Sequence, residues 1–178
     1  MSSLLEQSGI GAATARRFLE ESAAVVLNGC RKSKLEETAN GFAGDRILID
    51  SGDVSDKKYI LGLVERTIDK FHHIDVLVNN AAISVLGLFG GTSEEDLHRV
   101  MKTNVDGVFY AIRGALPHLL QSKGSIVNVS FVTAILGRMT PRLACFPAII
   151  PACSLETHAP CDCHLVANHS IRINSYSN

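Results

Sequence analysis

The chain of 178 residues lacks several features that define large classes of protein. It has almost no net charge, with 17 Lys and Arg against 18 Asp and Glu, so no basic field is present to hold nucleic acid or an anionic membrane. No stretch reaches the roughly 18 apolar residues of a membrane span. The first residues lack the basic flank and the long apolar region of a signal peptide. These absences predict a cytoplasmic protein with reduced thiols.

Internal repeats and low-complexity segments are also absent. The apolar fraction of 46% and the charged fraction of 20% are those of an ordinary globular protein. A chain of this length buries about two-thirds of its unfolded surface when it folds as one unit. We therefore expect a single domain over residues 1–178.

Short apolar strands alternate with amphipathic helices along the chain. Strands are predicted at 23–28, 47–49, 76–82, 125–130 and 171–174, and helices at 9–20, 34–40, 57–71 and 94–120. This alternation indicates βαβ units and an α/β fold, in which a doubly wound parallel sheet carries helices on both faces in three layers.

Apolar spacing predicts which helix faces are buried. In the first helix we expect Ser8 as the N-cap and an inward face of Ile10, Thr14 and Phe18. In the long helix at 94–120 the expected inward stripe is Val105, Val108, Phe109, Ile112, Leu116 and Leu119.

The stretch Val76-Leu77-Val78-Asn79-Asn80-Ala81-Ala82 organises the chain. It reads as a buried strand that stops at a polar turn of small residues. Such turns lie at the carboxyl edge of a parallel sheet, where α/β proteins place their ligands.

Two further segments contain candidate binding residues. Ser8-Gly9-Ile10-Gly11 precedes a helix and fits a phosphate cradle, because glycine allows close backbone approach and the helix N-terminus favours an anion; the alternative is an ordinary turn. Asp53-Val54 follows a strand, and the Asp carboxylate can accept from an adenine amino group; the alternative is an N-cap for the helix at 57.

Taken together, these segments resemble the short-chain dehydrogenase/reductase family. The matching segments are Ser8–Gly11, Gly52–Val54, Ile74–Ala82, Asn104–Phe109, Gly124–Ser130 and Ile171–Ser175. The resemblance implies a Rossmann-like sheet, an NAD(P)(H) cofactor and hydride transfer to or from a carbonyl or alcohol.

The resemblance also implies a role for individual residues. Gly9, Ile10 and Gly11 face the cofactor pyrophosphate, Asp53 and Val54 flank the adenine, and Asn80 with Ala81 lies on the adenosine ribose side. Asn104 matches the asparagine of the family's catalytic tetrad, which holds a proton-relay water. The alternative for Asn104 is a helix-bending polar residue satisfied by backbone groups.

Cofactor preference in such folds depends on the residues after the family's second strand, which corresponds to the strand predicted at 23–28 because the family's first strand is largely missing here. Here they are Gly29-Cys30-Arg31-Lys32. No carboxylate is present to bind a ribose 2′-hydroxyl, and Arg31 and Lys32 are placed for a 2′-phosphate. NADP(H) is therefore favoured over NAD(H), with solvated surface charge as the alternative.

The chain departs from the family at its catalytic and terminal positions. Leu5 replaces an early glycine, and the first and last strands of the sheet are largely missing. Phe131 stands where the catalytic serine is expected, and Phe146 and Ile150 stand where the tyrosine and lysine are expected; the alternative alignment gives Ala148 and Ala152. Phenylalanine cannot transfer a proton, so activity is expected to be impaired or absent.

The last candidate is a metal site, formed by Cys and His residues to which the resemblance assigns no role. Cys153, Cys161, Cys163, His164 and His169 supply enough zinc ligands, but their spacing fits no paired Cys-x-x-Cys pattern. We therefore expect no metal.

Three hypotheses follow for function. The first is an impaired or inactive NADP(H)-linked oxidoreductase of a carbonyl or alcohol. The second is a non-catalytic truncated isoform or pseudoenzyme that pairs with a full-length relative, as a homo- or hetero-oligomer, through the helices at 57–71 and 94–120. The third is a spliced or frameshifted product, with abrupt edges at residues 1–7 and 146–165.

Overall fold

The computed structural model describes residues 9–85 and 91–129. In chain order its elements are α1 (Ile10–Glu20), β1 (Val25–Gly29), α2 (Lys32–Ala39), β2 (Ile47–Ser51), α3 (Lys57–Phe71), β3 (Val76–Asn79), α4 (Glu94–Met101), α5 (Gly107–Ser122) and β4 (Ser125–Asn128). A 3₁₀ turn at Gly44–Arg46 precedes β2, and a π-helical turn at Lys102–Asp106 joins α4 to α5. The predicted alternation of strands and helices is confirmed, while the strand predicted at 171–174 lies outside the described residues.

The four strands form two parallel pairs. β1 pairs with β2 from Val25 opposite Ile47 to Gly29 opposite Ser51. β3 pairs with β4 from Val76 opposite Ser125 to Asn79 opposite Asn128. Within the described residues no backbone hydrogen bond joins one pair to the other.

Helices cover both faces of the strands, because successive side chains of a strand point to opposite sides. On one face, α1 and α2 pack on the first pair in a cluster of Leu19, Leu27, Leu35 and Ile47. On the other face, Ile60 and Leu63 of α3 and Ala111 of α5 form a second cluster, against which Val26 and Leu77 pack. Val26 belongs to β1 and Leu77 to β3, so both strand pairs rest on one layer of helices.

The start of α1 differs from the prediction. The cap position is Gly9 rather than Ser8, and Gly9 has no side chain with which to cap the helix. Ile10 is 65% exposed, and the residue that α1 buries is Leu19. A helix that touches the strands with its last turn leaves its first turn at the sheet edge, which explains the exposure of Ile10.

The helix predicted at 94–120 is confirmed as an unbroken helical stretch over residues 94–122, in which α4, the π-helical turn and α5 follow one another directly, but its predicted inward stripe is only partly correct. The residues that α5 buries are Gly107, Ala111, Ala115 and Leu119, whereas Phe109 and Leu116 are exposed. Small residues let α5 approach α3 closely: a Cβ added to Gly114 would lie 3.1 Å from Leu61 of α3. The close contact between α3 and α5 therefore buries the small residues of α5 and leaves two of its large apolar side chains exposed.

Both α3 and α5 end in a left-handed residue immediately before a strand of the second pair. His72 follows α3 with φ 67°, and Lys123 follows α5 with φ 57°. The backbone N–H of each cap donates to the last turn, to Ile68 O and Leu119 O respectively. These caps reverse the chain sharply into β3 and β4.

Candidate functional site

The loops after β2 and β3 lie at one edge of the strands. Val54, after β2, packs against the start of α5, because a Cβ added to Gly107 would lie 3.0 Å from Val54 O. Ile83, after β3, is hydrogen-bonded to Asn104 in the turn that leads into α5. Because both loops meet the start of α5, the carboxyl ends of the two strand pairs share an edge, as the sequence predicts for a ligand site.

The candidate cradle lies at this edge, next to the turn after β3. A Cβ added to Gly11 would be 2.5 Å from Asn80 Nδ2, so a larger residue there would displace the Asn80 side chain, while nothing lies within 4 Å of a Cβ at Gly9. The first turn of α1 has no acidic residue, and its N-cap residue, Gly9, has no side chain that could occupy the first N–H groups. The amide groups of that turn consequently keep their capacity for an anion.

Asp53 and Val54 occupy the turn that follows β2. Asp53 is exposed, and its Oδ1 accepts from the N–H of Ser55 at 2.8 Å. The alternative that Asp53 caps α3 is wrong, since Asp56 does so by accepting from the N–H groups of Lys58 and Tyr59. The capping function therefore belongs to Asp56, and a role of Asp53 beside the adenine stays a prediction.

Arg31 lies at the N-cap position of α2 and is exposed. Lys32 begins the helix and forms an exposed i,i+4 ion pair with Glu36, 3.7 Å between Nζ and Oε1. Helix α2 begins at Lys32, two residues earlier than predicted. Arg31 is therefore the residue that joins the turn after β1 to the start of α2. Of the two cations, Arg31 is the one nearer to that turn.

Asn104 is buried in the π-helical turn and contacts the loop after β3. Its Oδ1 accepts from Ile83 N–H and its Nδ2 donates to Ile83 O, both at 2.9 Å. The Asn104 amide thus bonds to both the N–H and the C=O of Ile83. This agrees with the alternative interpretation of Asn104 as a polar residue satisfied by backbone groups. Its bonds hold the loop that carries Asn80 and Ala81.

A pocket opens between the ends of β3 and β4 and the start of α5. Asn79 Nδ2 donates to Asn128 Oδ1 at 2.8 Å across its floor, and Val129 N–H donates to Asn79 O. Its lining residues are Asn79, Ala81, Ala82, Asn104, Val108, Asn128 and Val129. Ala81, predicted on the adenosine ribose side, and Asn104, matched to the family's catalytic tetrad, therefore line one cavity.

A polar network at the same edge was missed by the sequence reasoning. Tyr59 of α3 donates to Asp50 of β2, and Asn28 of β1 donates to Tyr59. Arg66 Nε donates to Asp50 Oδ2 at 2.5 Å. Burial, and next the hydrogen bond to Asp50, raises the pKa of Tyr59; the same carboxylate raises the pKa of Arg66 through its hydrogen bond. Two polar residues at matching positions of adjacent apolar strands were the available signal.

Several predicted positions lie outside the described residues. They are the early Leu5, the serine-position Phe131, the Tyr and Lys positions Phe146 and Ile150, and the Cys and His residues from 153 to 169. Where the chain is described, no three metal-ligating side chains come together. Among the described helices, none is both long and apolar enough to cross a membrane.

Comparison with known proteins agrees with this geometry. A model of the short chain dehydrogenase family matches residues 6–141. Meso-2,3-butanediol dehydrogenase of Serratia marcescens is 38% identical over 130 residues, which cover 73% of this chain and 52% of that protein. The chain therefore spans about half the length of the curated relatives it matches.

Solved structures give the same result. A glucose/ribitol-type short-chain dehydrogenase/reductase of Brucella melitensis superposes with a TM-score of 0.74 at 31% identity, over 81% of this chain and 58% of that one. A Caenorhabditis elegans short-chain dehydrogenase/reductase of unknown function, solved with cofactor, has a TM-score of 0.71 at 31% identity, over 81% and 56%.

Fold and edge together define a Rossmann-like α/β protein of the dinucleotide-binding class. The chain belongs to the short-chain dehydrogenase/reductase family. Members of this family bind NAD(P) cofactors. The family match ends at residue 141, so the similarity noted at 171–175 stays a prediction.

Proposed function

We propose that this chain is the cofactor-binding part of an NADP(H)-linked oxidoreductase of carbonyl or alcohol substrates. The observation that carries the proposal is the contact between the cradle and the turn after β3, where Gly11 lacks the Cβ that Asn80 would meet. The family membership supports it, as does the name of the Serratia relative, a dehydrogenase of a diol. The Caenorhabditis structure, which contains a cofactor, supports binding at this fold.

The residues of the edge fit a dinucleotide phosphate. The N–H groups of the first turn of α1 would hold the pyrophosphate beside Gly9, Ile10 and Gly11. Arg31 would hold the 2′-phosphate, since a guanidinium binds phosphate oxygens in pairs. Asp53 and Val54 would flank the adenine, and Asn80 and Ala81 the adenosine ribose. When bound, the nicotinamide would give or take the hydride.

Catalysis by this chain is proposed to be weak or absent. Asn104 supports the pocket by holding Ile83, but the sequence has Phe131, Phe146 and Ile150 where the family's serine, tyrosine and lysine are expected. Loss of a general acid/base lowers a rate by about 10² to 10⁴. We expect carbonyl reduction with NADPH near background. Robust turnover that is unchanged in Asn104→Ala and in Phe146→Tyr would contradict these roles.

Cofactor binding is tested by fluorescence titration with NADPH and NADH. We expect wild-type protein to bind NADPH more tightly, and Arg31→Ala to raise the Kd for NADPH by about tenfold or more, the size of a lost charge-assisted hydrogen bond. The Kd for NADH should change little. Arg17→Ala is the matched control, because Arg17 is an exposed arginine in the last turn of α1, far along the helix from the cradle, and pairs with Glu20 and Glu21. Equal loss in both variants, or no binding by wild type, would contradict the proposal.

A second candidate function is pairing with another copy or with a full-length relative. The observation that favours it is a set of exposed apolar side chains on α4 and α5, on which Phe109, Leu116 and Leu120 follow one helical face. The further members are Leu97 and Met101. In the described chain α3 adds no exposed large apolar residue to this set, so of the two predicted helices the second provides the surface.

Light scattering after size exclusion tests the pairing. We expect a dimer that Phe109→Glu converts to a monomer, since a buried unpaired carboxylate opposes association. Glu95→Lys, an exposed change on α4, is the control and should leave the dimer intact. A wild-type chain that is monomeric alone and never elutes with a full-length relative would contradict this function.

A further inference from the structure

Tyr59 is the centre of a hydrogen-bond network beneath the candidate adenosine site. Its hydroxyl lies 3.0 Å from Asp50 Oδ1 and 3.1 Å from Asp50 O, to which it donates. Asn28 Nδ2 donates to the same hydroxyl at 2.6 Å and to Asp50 O at 3.1 Å. The hydroxyl therefore joins α3 to both strands of the first pair at the end where those strands terminate.

The ring of Tyr59 supports the turn after β2. A Cβ added to Gly52 would lie 2.2 Å from the ring carbons Cε2 and Cζ, so the backbone of Gly52 rests directly on the ring. Gly52 N–H donates to Gly29 O at 3.1 Å, which holds the turn to the end of β1. Asp53 follows Gly52 directly, so the position of the Tyr59 ring sets the positions of Asp53 and Val54.

The turns after β1 and β2 are also bonded to each other. Cys30 Sγ donates to Gly52 O at 3.7 Å, and Ser51 Oγ donates to Cys30 O at 3.4 Å. Arg31 follows Cys30 directly. A displacement of Gly52 from the ring would therefore also move the backbone that carries Arg31.

Packing alone does not require this arrangement, since a phenylalanine ring would fill the same space. The hydroxyl is placed against a carboxylate that is only 15% exposed and whose other oxygen is paired with Arg66. A partly buried carboxylate costs free energy unless its oxygens are bonded. Asn28 and Asp50 lie opposite each other in the strand register, and the side chains of both are hydrogen-bonded to the Tyr59 hydroxyl.

We propose that Tyr59 is a positioning residue for the adenosine half of the cofactor: its hydroxyl and ring hold the linked turns that present Arg31, Asp53 and Val54. This inference rests on the proposed function, because it assigns a role within the same cofactor site. Tyr59 itself contacts the backbone of the turn rather than the ligand. The nicotinamide half of the cofactor is outside its influence.

The test compares the wild-type chain with Tyr59→Phe, which keeps the ring and removes the hydroxyl. We expect the Kd for NADPH to rise about fivefold, the size of one lost net hydrogen bond. The Kd for reduced nicotinamide mononucleotide, which lacks the adenosine half, should stay unchanged. Hydrogen exchange at the Gly52 amide, measured without cofactor, should quicken by a similar factor. A merely structural role would weaken both ligands alike.

Three variants complete the design. Tyr110→Phe is the matched control, the same chemical change on α5, and Arg66→Gln removes the ion pair while leaving the hydroxyl bonds; both should keep the wild-type Kd within twofold. Gly52→Ala drives a Cβ onto the ring and should reproduce the effect of Tyr59→Phe if that variant is poorly folded. A wild type that binds NADPH, with Tyr59→Phe and Gly52→Ala equal to it, would overturn the positioning role alone. A wild type that binds no NADPH would overturn the proposed function, and the cofactor role of Tyr59 with it.

Discussion

The two strand pairs are attached to their surroundings in different ways. The first pair is held to α3 by side-chain bonds: the Tyr59 network at the carboxyl ends, and Lys70 Nζ donating to Ile47 O at 2.7 Å at the amino end of β2. The second pair is held mainly by its own connection. Ser122 Oγ donates to Ile74 O at 2.6 Å, and Ser125 N–H donates to Asp75 O at 2.8 Å.

This difference shows where the two halves depend on each other. Within the described residues their strands share no ladder, so the layer of α3 and α5 is the joint between them. A substitution in that layer should affect both pairs, whereas a substitution on the opposite face should affect one. Three predictions test this division, beginning with the largest expected effect.

Ile60→Ala should destabilise the protein by about 3 kcal/mol, because a buried aliphatic side chain loses both transfer free energy and packing. Ile60 is 4% exposed in the cluster that contacts Val26 and Leu77. Urea denaturation measures the loss, and hydrogen exchange should quicken in both β1 and β3. In Leu19→Ala, the control on the opposite face, quickening should concentrate in β1. Faster exchange confined to β1 in Ile60→Ala would show that α3 is not the joint.

Asn104→Ala should cost about 2 kcal/mol, since a donor and an acceptor of Ile83 lose their partners in a half-buried loop. The loss belongs to the second pair, so the Ile83 amide should exchange faster while β1 and β2 keep their protection. Asn40→Ala, at the exposed end of α2, is the control and should be near neutral. If the exchange rate of the Ile83 amide is unchanged in Asn104→Ala, the two bonds from Asn104 do not hold this loop.

The smallest effect is a dependence on high pH that belongs to the first pair. Burial and the bond to Asp50 raise the pKa of Tyr59 above the ordinary tyrosine value of 10.0. The folded state therefore keeps the proton more tightly than the unfolded chain, and the contribution to stability is complete below about pH 10 and is lost as pH rises beyond it. Urea denaturation on either side of that pH should show a steeper decline for wild type than for Tyr59→Phe. Parallel declines would contradict the assignment.

Local patterns predicted the elements whose determinants are local. Helix α3 begins at Lys57 and ends at Phe71, as its apolar spacing and flanking residues indicate. The helix predicted at 94–120 is confirmed, but the π-helical turn within it was not predicted, because Asn104 of that turn bonds to Ile83, 21 residues earlier. The exposure of Phe109 and Leu116 follows from the close contact between α3 and α5, which buries the small residues Gly107, Ala111 and Ala115 instead.

The candidate site was predicted unevenly for the same reason. The family resemblance placed the cradle and Asn80 at one edge, and the structure brings Gly11 against Asn80. Spacing alone did not indicate Tyr59, which reads as an ordinary helix residue until the register sets Asn28 opposite Asp50. Register is a property of two strands together, and neither strand's pattern contains it.

The different spans of the two pairs have a kinetic consequence. Asn28 and Asp50, at matching positions of the first pair, are 22 residues apart, whereas Asn79 and Asn128 of the second are 49 apart. Loop-closure entropy rises by about 0.6 kcal/mol for each doubling of length, and such closures precede the contacts that reward them. The first pair should therefore form earlier, both in refolding and on a chain still being synthesised. It can assemble once β2 is available, whereas β3, whose partner among the described strands is β4, must wait for α5 and β4 to form that pair.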